Sequence, residues 1–199
     1  MTEADNKTEE IRTFFDRCAD MWDGRCRHDP EKIAAIVTLA GVRPGGRVAD
    51  IACGTGVLFP EILSRDPELL LGVDLSGKMI EKARSKFTDP RLRLAAADFF
   101  DVDEGGFDAV LLYSAYPHFP DKARLAAHMA SMLKPGGRFL VAHGESREAI
   151  NGCHSGGQVS PLSWKLHGAR EEAENFSALF TIDMLADTKD IYFFSGIKK

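Results

Sequence analysis

The stretch Val48-Ala49-Asp50-Ile51-Ala52-Cys53-Gly54-Thr55-Gly56 decides the fold. Residues 47–52 (RVADIA) follow Pro44, Gly45 and Gly46 and form a short apolar run that reads as a strand. Gly54 and Gly56 allow a tight turn and let the backbone approach a ligand without a Cβ in the way. Residues 57–66 have helical spacing with Pro60 near the start, so the turn delivers the unpaired N–H groups of a helix N-terminus. Dinucleotide-binding enzymes use such a turn too, so alone it selects an architecture rather than a cofactor.

Downstream the rhythm repeats. Residues 69–74, 91–98, 107–115 and 138–144 are further apolar runs, and residues 76–87 and 121–133 between them have helical spacing. This alternation predicts a parallel sheet covered on both faces, a Rossmann-like three-layer α/β sandwich. After Gly144 residues 146–155 read as a helix and 156–166 as loop. Residues 178–187 and 191–199 read as consecutive strands joined at Thr188, Lys189 and Asp190; such a hairpin makes the last strand antiparallel. Upstream, Ile11, Phe14, Phe15, Cys18, Met21 and Trp22 form one apolar stripe on a helix over 11–23, after ten polar residues expected to fray. A second helix starts with Asp29 as N-cap and Pro30 at its first position, and ends at Gly41. The expected organisation is one domain over residues 1–199, with 11–41 as an N-terminal helical cap and 145–175 as a lid and substrate region.

At 199 residues with 44% hydrophobic and 28% charged side chains, the chain can bury a core without disulfides. Its net charge of −5 disfavours a nucleic-acid partner, and no basic run is interleaved with aromatics. Cys18, Cys26, Cys53 and Cys153 form no C-x-x-C pair, which fits a reducing compartment. No signal peptide and no membrane-length apolar stretch is legible, so the expectation is a cytoplasmic protein with no membrane partner, a monomer or homodimer.

Two features sharpen the ligand. Asp74 ends the second strand about twenty residues after the turn, where a carboxylate can accept both ribose hydroxyls of an adenosine and repel a 2′-phosphate. Asp98-Phe99 end the third strand, where a carboxylate and an aromatic ring can take the adenine amino group and cover the ring. In order, VADIACGTG, LLGVDLSGKMIEKAR, LAAADFF, FDAVLLYSAYPHF and MLKPGGRFLVAHG resemble the motif set of class I S-adenosylmethionine (SAM)-dependent methyltransferases, small-molecule type. The resemblance is close over residues 11–144 and looser at the final hairpin. It implies seven strands in the order 3-2-1-4-5-7-6, the last antiparallel, and SAM as cofactor, leaving S-adenosylhomocysteine (SAH). It places Asp50, Ala52, Gly54 and Gly56 along the methionine part, Asp74 on the ribose, and Leu75 and Met79 beside the adenine. Asp98 and Phe99 go to the adenine edge and face, and Tyr113 and Ser114 near the sulfonium. Ala52 stands where many members have glycine.

Methyl transfer from a sulfonium needs an acceptor placed in line and water excluded. An acceptor protonated at neutral pH also needs a base, for which histidine is suited. His118 follows strand four and His143 ends strand five, at the strand ends where ligands of open sheets gather. His154 follows on the lid side. The same imidazoles can instead anchor loops by hydrogen bonds, or, with Cys26 or Cys153, hold a metal; no compact ligand motif supports the metal, and none is assigned. His28 comes near if the N-terminal helix folds over the site. Trp22 and Asp23, and across the site Pro161, Trp164 and Leu166, are candidates to border the substrate, or simply to plug the core.

A small-molecule acceptor follows by elimination. No Asn/Asp-Pro-Pro-Tyr follows strand four, no Pro-Cys nucleophile exists, and no recognition domain is appended. Two rivals share the cofactor motif in part: an NAD-dependent oxidoreductase, which does not predict the hairpin or Asp98-Phe99, and a non-catalytic SAM-binding module.

Overall fold

The computed structural model describes residues 3–155 and 162–199. Seven strands form one sheet in the order β3-β2-β1-β4-β5-β7-β6. They are β1 (Arg47–Ile51), β2 (Leu69–Asp74), β3 (Leu92–Ala96), β4 (Phe107–Tyr113), β5 (Leu133–His143), β6 (Phe180–Asp187) and β7 (Tyr192–Lys198). β1 pairs parallel with both β2 and β4, whereas β7 lies antiparallel between β5 and β6. The order and the reversed strand are those implied by the motif set. Dinucleotide folds use 3-2-1-4-5-6, so the inserted β7 counts against the oxidoreductase reading.

Alternation along the strands sends successive side chains to opposite faces. Ile51, Val73, Val110, Leu112, Phe139 and Val141 pack on one face against α6 (Lys122–Met132) and α8 (Ala169–Glu174). Val48, Leu70, Leu111 and Leu140 pack on the other against α3 (Pro30–Leu39), α4 (Phe59–Ser64) and α5 (Gly77–Lys86). The helix starts follow their caps: Asp29 accepts Glu31 N at 2.8 Å ahead of α3, and Ser76 accepts Met79 N at 3.1 Å ahead of α5.

Three expectations need correction. Residues 3–10, expected to fray, are helical, because α1 (Glu3–Cys18) begins at Glu3. Ion pairs at helical spacing, Lys7 with Glu10 and Arg12 with Glu9 and Asp16, support this polar start. The apolar stripe then continues through a 3-10 turn, Ala19–Met21, into α2 (Trp22–Arg25). Second, β5 begins at Leu133, before the KPGG turn, with a register shift against β4 between Phe107 and Ala109 and Gly136 at φ 74°. Third, α8 was absent from the sequence reading; its six residues bury only Ala169, Glu172 and Ala173. The helix read over 146–155 is α7 (Arg147–His154), while Pro161 lies outside the described residues.

Candidate active site

The parallel strands β1, β2 and β4 end at one edge, and the loop after β1 crosses it. Ala52, Gly54 and Gly56 there have φ of 52°, 55° and 89°, and Ser114 after β4 has φ 55°. Left-handed backbone costs a non-glycine residue about 1 kcal/mol or more and clusters at functional sites. The glycines differ in purpose. A Cβ on Gly54 meets only Trp22 Nε1, at 3.7 Å, whereas one on Gly56 would sit 2.4 Å from the Phe59 ring. Gly54 thus has open space beside it, and Gly56 makes room for the core.

Two carboxylates lie under this loop. Asp50 is 1% exposed, and its Oδ2 has no hydrogen-bond partner among the described residues. Burial, then the neighbouring Asp74, pushes its carboxyl well above the usual range. Asp74 Oδ2 accepts Gly54 N and its Oδ1 accepts Ser76 N, both at 2.8 Å. Burial raises Asp74 to about 6 against the pull of these two N–H groups. Leu75 is half-buried after it, and Met79 is buried in the first turn of α5.

Farther along the edge, Asp98 accepts Phe100 N at 2.9 Å. Phe99 is 5% exposed, with its ring 4.6 Å from His128 and 6.2 Å from Phe119. Its aromatic face is thus spent largely on the core.

The N-terminal segment is laid across the site. Asp16 accepts Ser76 Oγ at 2.6 Å, Asp20 pairs with Lys82 at 2.8 Å, and Asp23 pairs with Lys86 at 2.8 Å. Asp23 also takes the Thr55 hydroxyl at 2.5 Å. Trp22 is half-buried, its ring 5.5 Å from Phe15. Tyr113 is buried, its hydroxyl 3.0 Å from His28 Nδ1, and Ser114 beside it is exposed.

After β4, His118 Nδ1 lies 2.9 Å from Leu162 O. A carbonyl only accepts, so Nδ1 carries the proton and Nε2 the lone pair. His154 Nδ1 is fixed likewise, 2.7 Å from Ile150 O. The two rings are 5.2 Å apart, and Phe15 stands 5.1 Å from His118. Burial lowers His118 to about 4 despite its hydrogen bond. His143 is 3% exposed, with Nε2 unpartnered among the described residues; burial, then the nearby His154 and His118, lowers it to about 3. Trp164 is exposed, with its N–H on Pro117 O at 2.9 Å, and Leu166 is buried. The structure therefore gathers His118, His154 and Phe15, with His143 beneath. Among the described residues no three His, Cys, Asp or Glu side chains converge as metal ligands.

Sequence reading missed Glu172 and Lys122. Glu172 is 5% exposed and accepts Tyr116 Oη at 2.8 Å. Lys122 Nζ lies 2.7 Å from Tyr116 O and 3.6 Å over the Tyr116 ring, and burial lowers it to about 8. Their runs, DKAR and REEAE, look solvated; no local signal marks them as interior.

Residues 48–137 match the family described as a methyltransferase domain. The chain is 30% identical over 140 residues to a ubiquinone biosynthesis O-methyltransferase of Alkalilimnicola ehrlichii, spanning 64% of this chain and 56% of that protein. It is 35% identical over 114 residues to a ubiquinone/menaquinone biosynthesis C-methyltransferase of Teredinibacter turnerae, spanning 53% of this chain and 45% of that one. The chain thus spans about half the length of these relatives. Magnesium protoporphyrin IX methyltransferase of Synechocystis PCC 6803, solved with bound SAH, shares the fold at a TM-score of 0.73 and 17% identity, over 97% of this chain and all of that one.

Proposed function

We propose that this chain, which belongs to the class I methyltransferases by its sheet order and by the domain over residues 48–137, binds S-adenosylmethionine and methylates a small-molecule acceptor. The observation that carries the reading is Asp50. A buried carboxylate with an orphaned Oδ2 is costly, and a cationic ligand supplies what it lacks. SAM brings an ammonium group to such a carboxylate, together with two ribose hydroxyls for the lone pairs Asp74 keeps beyond its two N–H bonds. The Cβ-free approach at Gly54 fits the same ligand.

The cofactor supplies a methyl group activated on a sulfonium. The chain's own part is positioning. Asp50 and Asp74 hold the two polar ends, Leu75 and Met79 flank the base, and Asp98 takes its amino edge. Ala52 and Gly56 shape the turn along the methionine part, and Tyr113 and Ser114 border the transfer point. Trp22 and Asp23 close over the loop and exclude water. His118, neutral at pH 7 with its lone pair on Nε2, accepts the acceptor's proton. Burial holds His143 neutral in the neighbouring wall, and the His154 ring packs 5.2 Å from that of His118. Phe15, Trp22 and Trp164 supply apolar walls for an acceptor of modest size. The relatives that act in ubiquinone biosynthesis support a small acceptor rather than a nucleic acid, as does the net charge of −5.

Titration calorimetry with SAH and with NAD tests this reading. The expected result is one SAH site per chain and no heat from NAD; the reverse would return the oxidoreductase reading. A chain that binds SAM yet methylates none of a panel of phenols, thiols and amines would favour the non-catalytic module.

A further inference from the structure

We propose that Glu172 is a positioning residue for His118, an inference that rests on the assignment of His118 as the proton acceptor. His118 owes its tautomer to a bond between two chain segments far apart in sequence: the turn after β4, Tyr116–His118, and the segment leading into α8. Between them run His118 Nδ1–H to Leu162 O, Trp164 N–H to Pro117 O at 2.9 Å, and a longer contact of the Ser163 hydroxyl with His118 Nδ1 at 3.4 Å. None of these bonds is part of a helix or of the strand ladder, so all need the segments held together from elsewhere.

Glu172 does this with one carboxylate. Its Oε2 accepts the Tyr116 hydroxyl at 2.8 Å, and its Oε1 accepts His167 N–H at 3.1 Å. The first bond grips the turn that carries His118. The second grips the segment that carries Leu162 O. The Tyr116 arm of the clamp is buried, with Glu172 5% exposed and Tyr116 fully buried, while His167 at the other arm is exposed. Tyr192 Oη reinforces the second arm through His167 O at 3.2 Å, and Lys122 reinforces the first through Tyr116 O at 2.7 Å. Lys122 also supplies the positive charge that a buried carboxylate needs nearby. Glu172 never reaches the acceptor; it fixes where the Nε2 lone pair points.

The test reads the imidazole itself. Two-bond 1H–15N correlation spectra of the full chain without ligand report the tautomer of His118, assigned through H118N. The parent is expected to show a single Nδ1–H tautomer. E172A and Y116F are expected to move the His118 nitrogens toward averaged positions, while calorimetric SAH affinity stays at the parent value. Y116F keeps the ring that packs on Phe176 and Phe194, so it remains informative if E172A fails to fold. A parent-like His118 pattern in folded Y116F overturns the proposal. Failure of the parent to bind SAH counts against the methyltransferase reading alone, because the tautomer measurement needs no cofactor.

Discussion

Asp50 and Asp74 lie buried on neighbouring strands and ask for different tests. Asp50 is held above its unfolded value of 3.8 by burial, so its stabilising form is the protonated one. That stability is present below about pH 3.8 and is lost as pH rises through the folded value. D50N is therefore expected to melt higher than the parent at neutral pH, with the advantage shrinking toward pH 4. It is also expected to bind SAH about tenfold more weakly or worse, since a hydrogen bond to a charged group contributes about 1.5–3 kcal/mol. Melting curves across pH and calorimetry check both signs. For Asp74, raised to about 6 when free, ribose hydroxyls favour the ionised form. SAH affinity is expected to fall as pH drops below 6, by up to about tenfold per unit, and D74N to flatten that profile. The glycines give a third test. G56A forces a Cβ into Phe59 at 2.4 Å and is expected to destabilise the fold by about 2 kcal/mol or more. G54A, with space around it, is expected to cost only about 1 kcal/mol of backbone strain. Equal melting temperatures for the two variants would contradict the separate roles given to these residues.

At the scale of elements, the N-terminal segment is a cap docked by an acidic face. Asp16, Asp20 and Asp23 meet Ser76, Lys82 and Lys86, the lysines spaced one turn apart along α5. Exposed pairs of this kind contribute little singly, so Trp22 is the better lever on the site. W22A is expected to speed SAH release several-fold in stopped-flow displacement while leaving the melting temperature nearly unchanged; parent-like release would remove Trp22 from the site. The central strands and most helices were legible because each buries a continuous apolar run or stripe, whereas the edge strands β3 and β6 are only partly buried. The six residues of α8 span less than two turns and show no period. The polar start of α1 rests on ion pairs that look like a solvated tail. Candidate ligands at strand ends, such as Asp74, were legible from position alone. The tautomer of His118 was not, because it depends on a carbonyl 44 residues away. Nor was the burial of Phe99, which follows from contact with His128 on α6.

The whole molecule places its polar chemistry on one edge of a seven-stranded sheet. The reversed β7 completes the sheet beyond β5, and Tyr192 at its start closes the arm that reaches His167. Both faces are sealed by apolar side chains, and at the ends of β1 and β2 lie two buried carboxylates, of which Asp50 has an oxygen with no donor among the described residues. The measurement that tests this most directly is a crystal structure of the chain soaked with SAH. The account predicts the ligand's ammonium on Asp50 Oδ2 and its ribose hydroxyls on Asp74, with the sulfur facing the His118 side. A crevice left vacant at saturating SAH, or a ligand seated away from both aspartates, would contradict it.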